Sequence, residues 1–151
     1  MQKIVPNLWF SRNAQEAVEY YLSVFKESKI INTVYYPTEG LEDFQKEFAG
    51  KVLTIEFELF RQSFVAINAG DEFKFSEAVS FTVLCKDQQE IDYYWSKLSA
   101  VPESEQCGWC KDKYGLSWQI NPENMEELMK KPQAFPIMLK QKKIIIAEYL
   151  N

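Results

Sequence analysis

One acid stands where an inward-facing side chain is expected. Glu56 lies midway along KVLTIEFELF, residues 51–60. Alternation there puts Leu53, Ile55, Phe57 and Leu59 on one face, and Val52, Thr54, Glu56 and Glu58 on the other. A desolvated carboxylate on the second face has the makings of a general base or a polar anchor for a ligand. The plainer alternatives are a wet face or an ion pair with a cation such as Lys74. Cys107-Gly-Trp-Cys110 has the spacing of a redox pair. The redox form needs its first thiol at a helix N-terminus. Here the pair falls in an expected strand, where residues three apart point to opposite faces, so two ordinary thiols are expected. Cys85 closes another strand on its apolar face and should be buried.

What is missing narrows the chemistry. The 151 residues include no His, which excludes Ser-His-Asp and Cys-His triads, His-ligated zinc or iron, and a His general base. The five Gly stand apart at 40, 50, 70, 108 and 115. No Walker A loop or GxGxxG cradle can be built from them, which argues against a nucleotide fold or a Rossmann-type methyltransferase. Seventeen Lys+Arg against 22 Asp+Glu give a net charge of −5, so no nucleic-acid partner is expected. The opening MQKIVPNLWF is too short and polar for a signal peptide, and no apolar run approaches the roughly 20 residues of a membrane span. No membrane partner is expected. Three Cys, an odd number, suit a reducing cytoplasm.

The elements that must position these residues follow from periodicity. Residues 3–10 alternate as a strand, with Val5, Asn7 and Trp9 on one face and Ile4, Pro6, Leu8 and Phe10 on the other. Asn13-Ala-Gln-Glu16 has the form of a capping box, opening an amphipathic helix that carries Ala14, Ala17, Val18, Tyr21, Leu22 and Phe25. Residues 29–36 read as a second strand, and 37–50 as a polar loop with a helical turn near 43–48. Residues 51–60 and 63–70 form a hairpin turned at Arg61-Gln62. Residues 77–85 make the next strand. Asp87-Gln-Gln-Glu90 repeats the capping box before Ile91, Tyr94, Trp95 and Leu98. Residues 106–112 and 116–121 form another hairpin, and two helical stretches, 123–131 and 135–150, end the chain.

An internal repeat organises this order. NAQEAVEYY at 13–21 and DQQEIDYYW at 87–95 share a cap, a Gln, an N3 Glu, an apolar fifth position and an eighth-position Tyr. Each follows a strand and precedes a hairpin. The reading is an α+β domain of paired βαβββ modules with a C-terminal helix: module one about 1–72, module two about 73–122, and a tail about 123–151. Module two is shortened by the near-loss of its second strand. Two such modules should curve their sheets around a shared cleft.

This order, with LWFSRNAQEAVEYYLSVF (8–25), LTIEFELFRQSFVAINAG (53–70), FKFSEAVSFTV (73–83), QCGWCKDKYGLSWQINP (106–122) and MLKQKKIIIA (138–147), resembles the vicinal-oxygen-chelate superfamily, to which glyoxalases belong. More narrowly it is similar to the PhnB-like branch, whose members often carry the label 3-demethylubiquinone-9 3-methyltransferase. Nothing in the chain supplies the glycine-rich loop that would hold S-adenosylmethionine. The resemblance implies one metal ligand on the first strand and one on the last strand of each module. Those positions fall on Val5 or Pro6, near Val65 or Ala66, on Ser80, and on Gln119. Val, Pro and Ala offer no donor, and hydroxyl and amide oxygens are weak ones for a divalent transition metal. The expectation is therefore no metal and no cofactor.

The polar or mixed face of each strand nominates a ligand-binding set: Asn7, Trp9, Thr54, Glu56, Phe64, Asn68, Ser80, Thr82, Ser117 and Gln119. Phe73 and Phe75 in the link between modules, with Lys74 between them, could close the mouth, and Trp109 sits on the last hairpin. Aromatic residues reach 15%, so some rings should line a cavity, with Trp9, Phe73 and Phe75 poised between cleft and core. Phe57, Tyr21 and Phe25 read as core. The expected function is binding of a small, partly apolar molecule. The alternatives are a metal-dependent lyase, isomerase or dioxygenase using Glu56 and Gln119, and a structural or interaction dimer without catalysis. The run Lys140-Gln-Lys-Lys143 reads as the solvated face of a docking helix. On a helix over 135–150, Ile144, Ile145 and Ile146 would span about 200° and could not all face one sheet. A homodimer is expected from that surplus.

Overall fold

Period-two alternation in residues 52–69 builds the first sheet. The computed structural model describes residues 2–151, a mixed α+β chain in two compact units, Met1–Lys74 and Phe75–Asn151. In the first unit β1 (Asn7–Ser11), β2 (Ser28–Tyr35), β3 (Val52–Leu59) and β4 (Gln62–Ala69) pair in the order β1-β4-β3-β2. β1 runs parallel to β4, and the other pairs are antiparallel. Helix α1 (Ala14–Val24) buries Ala14, Ala17, Val18, Tyr21 and Val24. It covers the face that carries Leu8, Phe10, Ile55, Phe57 and Phe64, all buried. Phe57 is fully enclosed, stacked on Phe64 at 5.5 Å and on Tyr21 at 6.4 Å. Burying such a ring contributes about 1.5–3 kcal/mol.

The second unit repeats the plan with one strand fewer. β5 (Ser80–Cys85), β6 (Trp109–Lys111) and β7 (Ser117–Pro122) pair as β5-β7-β6, with β5 parallel to β7. Helix α2 (Gln88–Leu98) buries Ile91, Tyr94 and Leu98. Ile120, Cys85 and Cys110 are buried on the alternate positions of the strands. In place of a second strand, a 3-10 turn at Pro102–Ser104 leads into β6. Asp112, 1% exposed, ties the β6–β7 turn: its carboxylate accepts from Tyr114 N, Leu116 N and Trp118 Nε1 at 2.8, 3.1 and 2.9 Å.

Several expectations need correction. β1 begins at Asn7; the residues before it meet β4 through Val65 N donating to Pro6 O and through the Gln2 side chain, which bonds Ser63 N and Ser63 O. Asn13 makes no side-chain cap; the first free N–H of α1, at Ala14, donates to Asn68 Oδ1 at 3.1 Å. Asp87 does cap α2, accepting from Glu90 N at 2.9 Å, while Glu90 accepts from Lys86 N rather than from the cap residue. The β3–β4 turn lies one residue earlier than expected, at Phe60-Arg61, both with positive φ. Residues 106–112 are not one strand. Gln106 and Trp109 bridge across a two-residue turn at Cys107-Gly108, with φ of 52° and 85°. Glycine suits 108 on two counts, its positive φ and the crowding a Cβ would meet, 2.9 Å from Asn121 Oδ1, 3.0 Å from Ile144 Cγ1 and 3.3 Å from Ile120 O.

The tail differs most. The helix expected over 135–150 stops at Lys140: α4 is Ala134–Lys140, and a 3-10 turn at Ile146–Tyr149 follows a non-helical segment bent at Lys142-Lys143. This spacer is held from outside, with Cys107 N and Gly108 N donating to Gln141 O and Lys142 O, and with Gln88 bonding both Ile144 O and Ile146 N. The expected stretch 123–131 contains only the four-residue helix α3, Met125–Leu128. Ile144 is fully buried in a cluster with Leu128, Ala134 and Tyr149, flanked by Ile137, Met138 and Ile146. The 200° spread of Ile144–Ile146 therefore does not arise, and most of the apolar surplus is consumed within this unit. Lys140 and Lys143 likewise do not share one helix face; Lys143 pairs with Asp92 at 2.8 Å.

Candidate functional site

Register decides which side chains share a face, because neighbours across a ladder point the same way. On the first sheet Trp9 pairs with Ile67, which pairs with Thr54; Asn7 pairs with Val65, which pairs with Glu56. All six lie on the face away from α1, so Asn7, Trp9, Thr54 and Glu56 stand together as expected. Phe64 and Asn68 do not. They share the α1 face with Phe57 and Phe10, where Phe64 packs into the core and Asn68 holds the helix end and donates to Val52 O at 3.0 Å. The alternation of β4 is phased the other way: Val65 and Ile67, the apolar residues, take the far face, and the amide is buried because it has backbone partners.

Trp9 is the centre of the far face. Its Nε1 donates to Gly70 O at 2.9 Å, and Phe73 meets its ring edge-on at 4.8 Å. Beside it is a mainly apolar pocket of about 210 Å³, walled by Trp9, Ile67, Leu53, Phe44 and the stacked Tyr36–Phe48 pair, with Glu72 and Gln45 as its polar groups. Sequence reasoning missed Phe44, Tyr36, Phe48 and Ile67. Ile67 was legible from its alternation with Trp9's partner strand; the loop rings had no periodic signal. Glu56 is half-buried, and among the described residues neither Lys74 nor any other cation pairs with it. At the end of the sheet a wider hollow of about 420 Å³ is lined by Arg12, Asn13, Lys51, Tyr35 and Asn68. Arg12, at a φ of 64°, clamps Glu47 at 2.6 Å and Asp71 at 3.0 Å; its guanidinium holds the Glu47 carboxyl below the usual range, and the Ser11 hydroxyl, with the guanidinium second, does so at Asp71.

The second sheet presents different chemistry. Ser80 pairs with Ser117 and Thr82 with Gln119; Trp109 pairs with Gln119 and Lys111 with Ser117. Ser80, Thr82, Ser117, Gln119 and Trp109 therefore share one face, with Lys111 added to the expected set. Gln119 Nε2 donates to Ser80 Oγ at 2.9 Å. Ser117 Oγ is buried without a hydrogen-bond partner among the described residues. Lys111 pairs with Glu77 at 2.7 Å. Lys111 could have been found from the sequence, since it stands two residues after Trp109. Phe75, half-buried, opens this unit, while Phe73 belongs to the first.

The profile of the 3-demethylubiquinone-9 3-methyltransferase family matches residues 2–121. A Bacillus cereus structure described as PhnB, a 3-demethylubiquinone-9 3-methyltransferase, is 34% identical over 79% of this chain and 98% of its own, with a TM-score of 0.63. The chain belongs to this PhnB-like family. Two more distant structures share the fold: PA1353 from Pseudomonas aeruginosa, 15% identical over 82% of this chain and 98% of that one, TM-score 0.61, and the fosfomycin resistance protein FosX from Mesorhizobium loti, 13% identical over 87% and 100%, TM-score 0.53. No curated protein matches the chain. The PhnB-like family lies within the vicinal-oxygen-chelate superfamily, and the two small sheets with their helices are its glyoxalase-like fold.

At the positions expected to match the superfamily's ligands, Val5 or Pro6 and Val65 or Ala66 are apolar, and Ser80 and Gln119 carry a hydroxyl and an amide. Pro6 and Val65 are joined through the backbone, and Ser80 and Gln119 bond each other. Among the described residues no three His, Cys, Asp or Glu lie close enough to share a metal ion. The three cysteines are free thiols. Cys85 and Cys110 are buried, and burial pushes each up to about 12. Cys107, in its turn, is partly exposed. No helix among the described residues is long and apolar enough to cross a membrane.

Proposed function

We propose that this PhnB-like protein binds a small, partly apolar molecule on the faces of its sheets that point away from the helices, without the superfamily's metal. The observation that carries the reading is the aromatic pocket at Trp9, where Trp9, Phe44 and the Tyr36–Phe48 stack offer ring surface and Glu72 and Gln45 offer polar contacts. That combination of apolar walls with a few polar groups is what small-molecule sites require. The Ser80–Gln119 bond supports the second half of the reading: Ser80 Oγ already accepts from Gln119 Nε2, and a hydroxyl and an amide are weak ligands for a divalent transition metal. Glu56, unpaired on the Trp9 face, serves as a polar anchor.

The test has two arms. A fragment screen by thermal shift, rich in uncharged aromatics, should yield binders whose effect is lost in Trp9→Ala but kept in Lys26→Ala. Dialysed protein should hold far less than one equivalent of transition metal. No binder from the screen contradicts the binding reading, and stoichiometric metal retained after dialysis contradicts the metal-free one. The proposal includes a cytoplasmic setting and a homodimer covering the exposed Phe135, Leu139 and Leu150; a monomer by light scattering would remove the dimer.

A further inference from the structure

The second unit has hydrogen-bond donors that the protein does not use. Ser117 is 1% exposed, and its Oγ has no partner among the described residues. Ser80, its neighbour across the β5–β7 ladder, uses its oxygen to accept from Gln119 Nε2. Its own O–H therefore points elsewhere and has no acceptor among the described residues. On the other side of Ser117 stands Lys111, its partner across the β6–β7 ladder. Cβ atoms directly opposite on one face of an antiparallel pair lie about 5 Å apart. Ser80, Ser117 and Lys111 thus form a row of two idle hydroxyl donors and one ammonium.

The group that currently answers the ammonium is a carboxylate. Glu77 Oε1 lies 2.7 Å from Lys111 Nζ, and the Glu77 side chain is 64% exposed against 26% for Lys111. An ion pair with one partner this exposed is weak and easily exchanged. A group that only accepts hydrogen bonds is what two hydroxyls and an ammonium can jointly satisfy, and an ionised carboxylate is such a group. Leaving a buried hydroxyl unmatched is unfavourable, so an occupant that matches it gains by doing so.

We propose that Lys111, Ser80 and Ser117 bind the carboxylate of a small organic acid, which takes the place held by Glu77 in the free protein. Glu77 is then a built-in competitor that keeps the ammonium matched until the ligand arrives. The inference rests on the small-molecule reading above and narrows the ligand class to carboxylic acids. Trp109, in the next row of the same face beside Gln119, is placed to meet an apolar body attached to that carboxylate.

The test compares benzoate with benzamide, its uncharged analogue, by calorimetric titration of the full chain. Benzoate should bind and benzamide should bind at least about tenfold more weakly, the range expected for a lost charged hydrogen bond. Lys111→Met should weaken benzoate by about tenfold or more. Glu77→Gln, a surface change with little bearing on folding, should tighten benzoate about twofold to fivefold by removing the competitor. Equal affinities for the two probes, or benzoate affinity unmoved by both Lys111→Met and Glu77→Gln, would overturn the carboxylate site while leaving the small-molecule reading in place. Heat from neither probe would also overturn it, and the small-molecule reading would then stand or fall on the uncharged fragments of the thermal-shift screen.

Discussion

The two helices that carry the repeated segment start in different ways. α2 is capped by its own Asp87, which accepts from Glu90 N at 2.9 Å. α1 has Asn13 at the same place in the repeat, yet its end is held by Asn68, 54 residues away on β4. A local cap fixes only a helix end. Asn68 also donates to Val52 O, so one buried amide fastens α1, β3 and β4 together. The sheets diverge in the same spirit: the first turns Trp9, Ile67 and Glu56 away from its helix, the second Ser80, Ser117, Gln119 and Lys111. Similar strand and helix patterns therefore deliver a ring-lined face in one unit and a donor-rich face in the other. The repeat sets where side chains point, and the residue types at those points set the chemistry.

The largest expected contrast is alkaline. All three cysteines are in the second unit, and Cys85 and Cys110, 0% and 1% exposed, have thiols raised from 9.0 to about 12. A raised folded pKa gives stability that is whole below pH 9 and lost as pH climbs toward 12. At pH 10.5 the loss should be roughly 2 kcal/mol for each thiol. Hydrogen exchange should rise in residues 75–151 before residues 2–74. A Cys85→Ala, Cys110→Ala double variant should remove that order; an unchanged order would show that the thiols are not its cause.

The caps come next. Asn68→Ala should cost about 2–4 kcal/mol in urea unfolding, because it takes the partner from the buried Ala14 N and the part-buried Val52 O. Asp87→Ala should cost about 1 kcal/mol, the usual worth of an N-cap. Asn13→Ala should change stability by less than about 0.5 kcal/mol, since its side chain caps nothing. A loss at Asn13 equal to that at Asp87 would mean that the two helix starts are alike after all.

Much of this architecture could be read from residue spacing. Strands β1, β3, β4, β5 and β7 and both long helices follow from alternation and from the apolar stripe, and the faces of β1, β3, β5 and β7 follow with them. The phase of β4 did not, because Asn68 looks like a cleft residue by type and only its contacts to Ala14 N and Val52 O explain its burial. The tail failed for a related reason. Residues 135–150 carry helical composition, but Gln88, Cys107 and Gly108 draw the backbone near 141–146 out of helix through hydrogen bonds to distant residues. Turn chemistry was hidden as well, since Phe60, Arg61 and Cys107 adopt positive φ without being glycine. Of the candidate site, the far-face residues on single strands were legible; the loop rings Phe44 and Phe48 were not, because no period places a loop over a sheet.

The central claim is that small molecules bind on the faces turned away from the helices. The four indole N–H signals report on it directly. Trp9 and Trp109 lie on those faces, Trp118 donates to buried Asp112, and Trp95 rides on α2. In a nitrogen-15 correlation spectrum, a fragment from the thermal-shift screen should move the Trp9 or Trp109 indole signal and leave Trp118 and Trp95 in place. Saturable shifts confined to Trp118 or Trp95 would contradict the account.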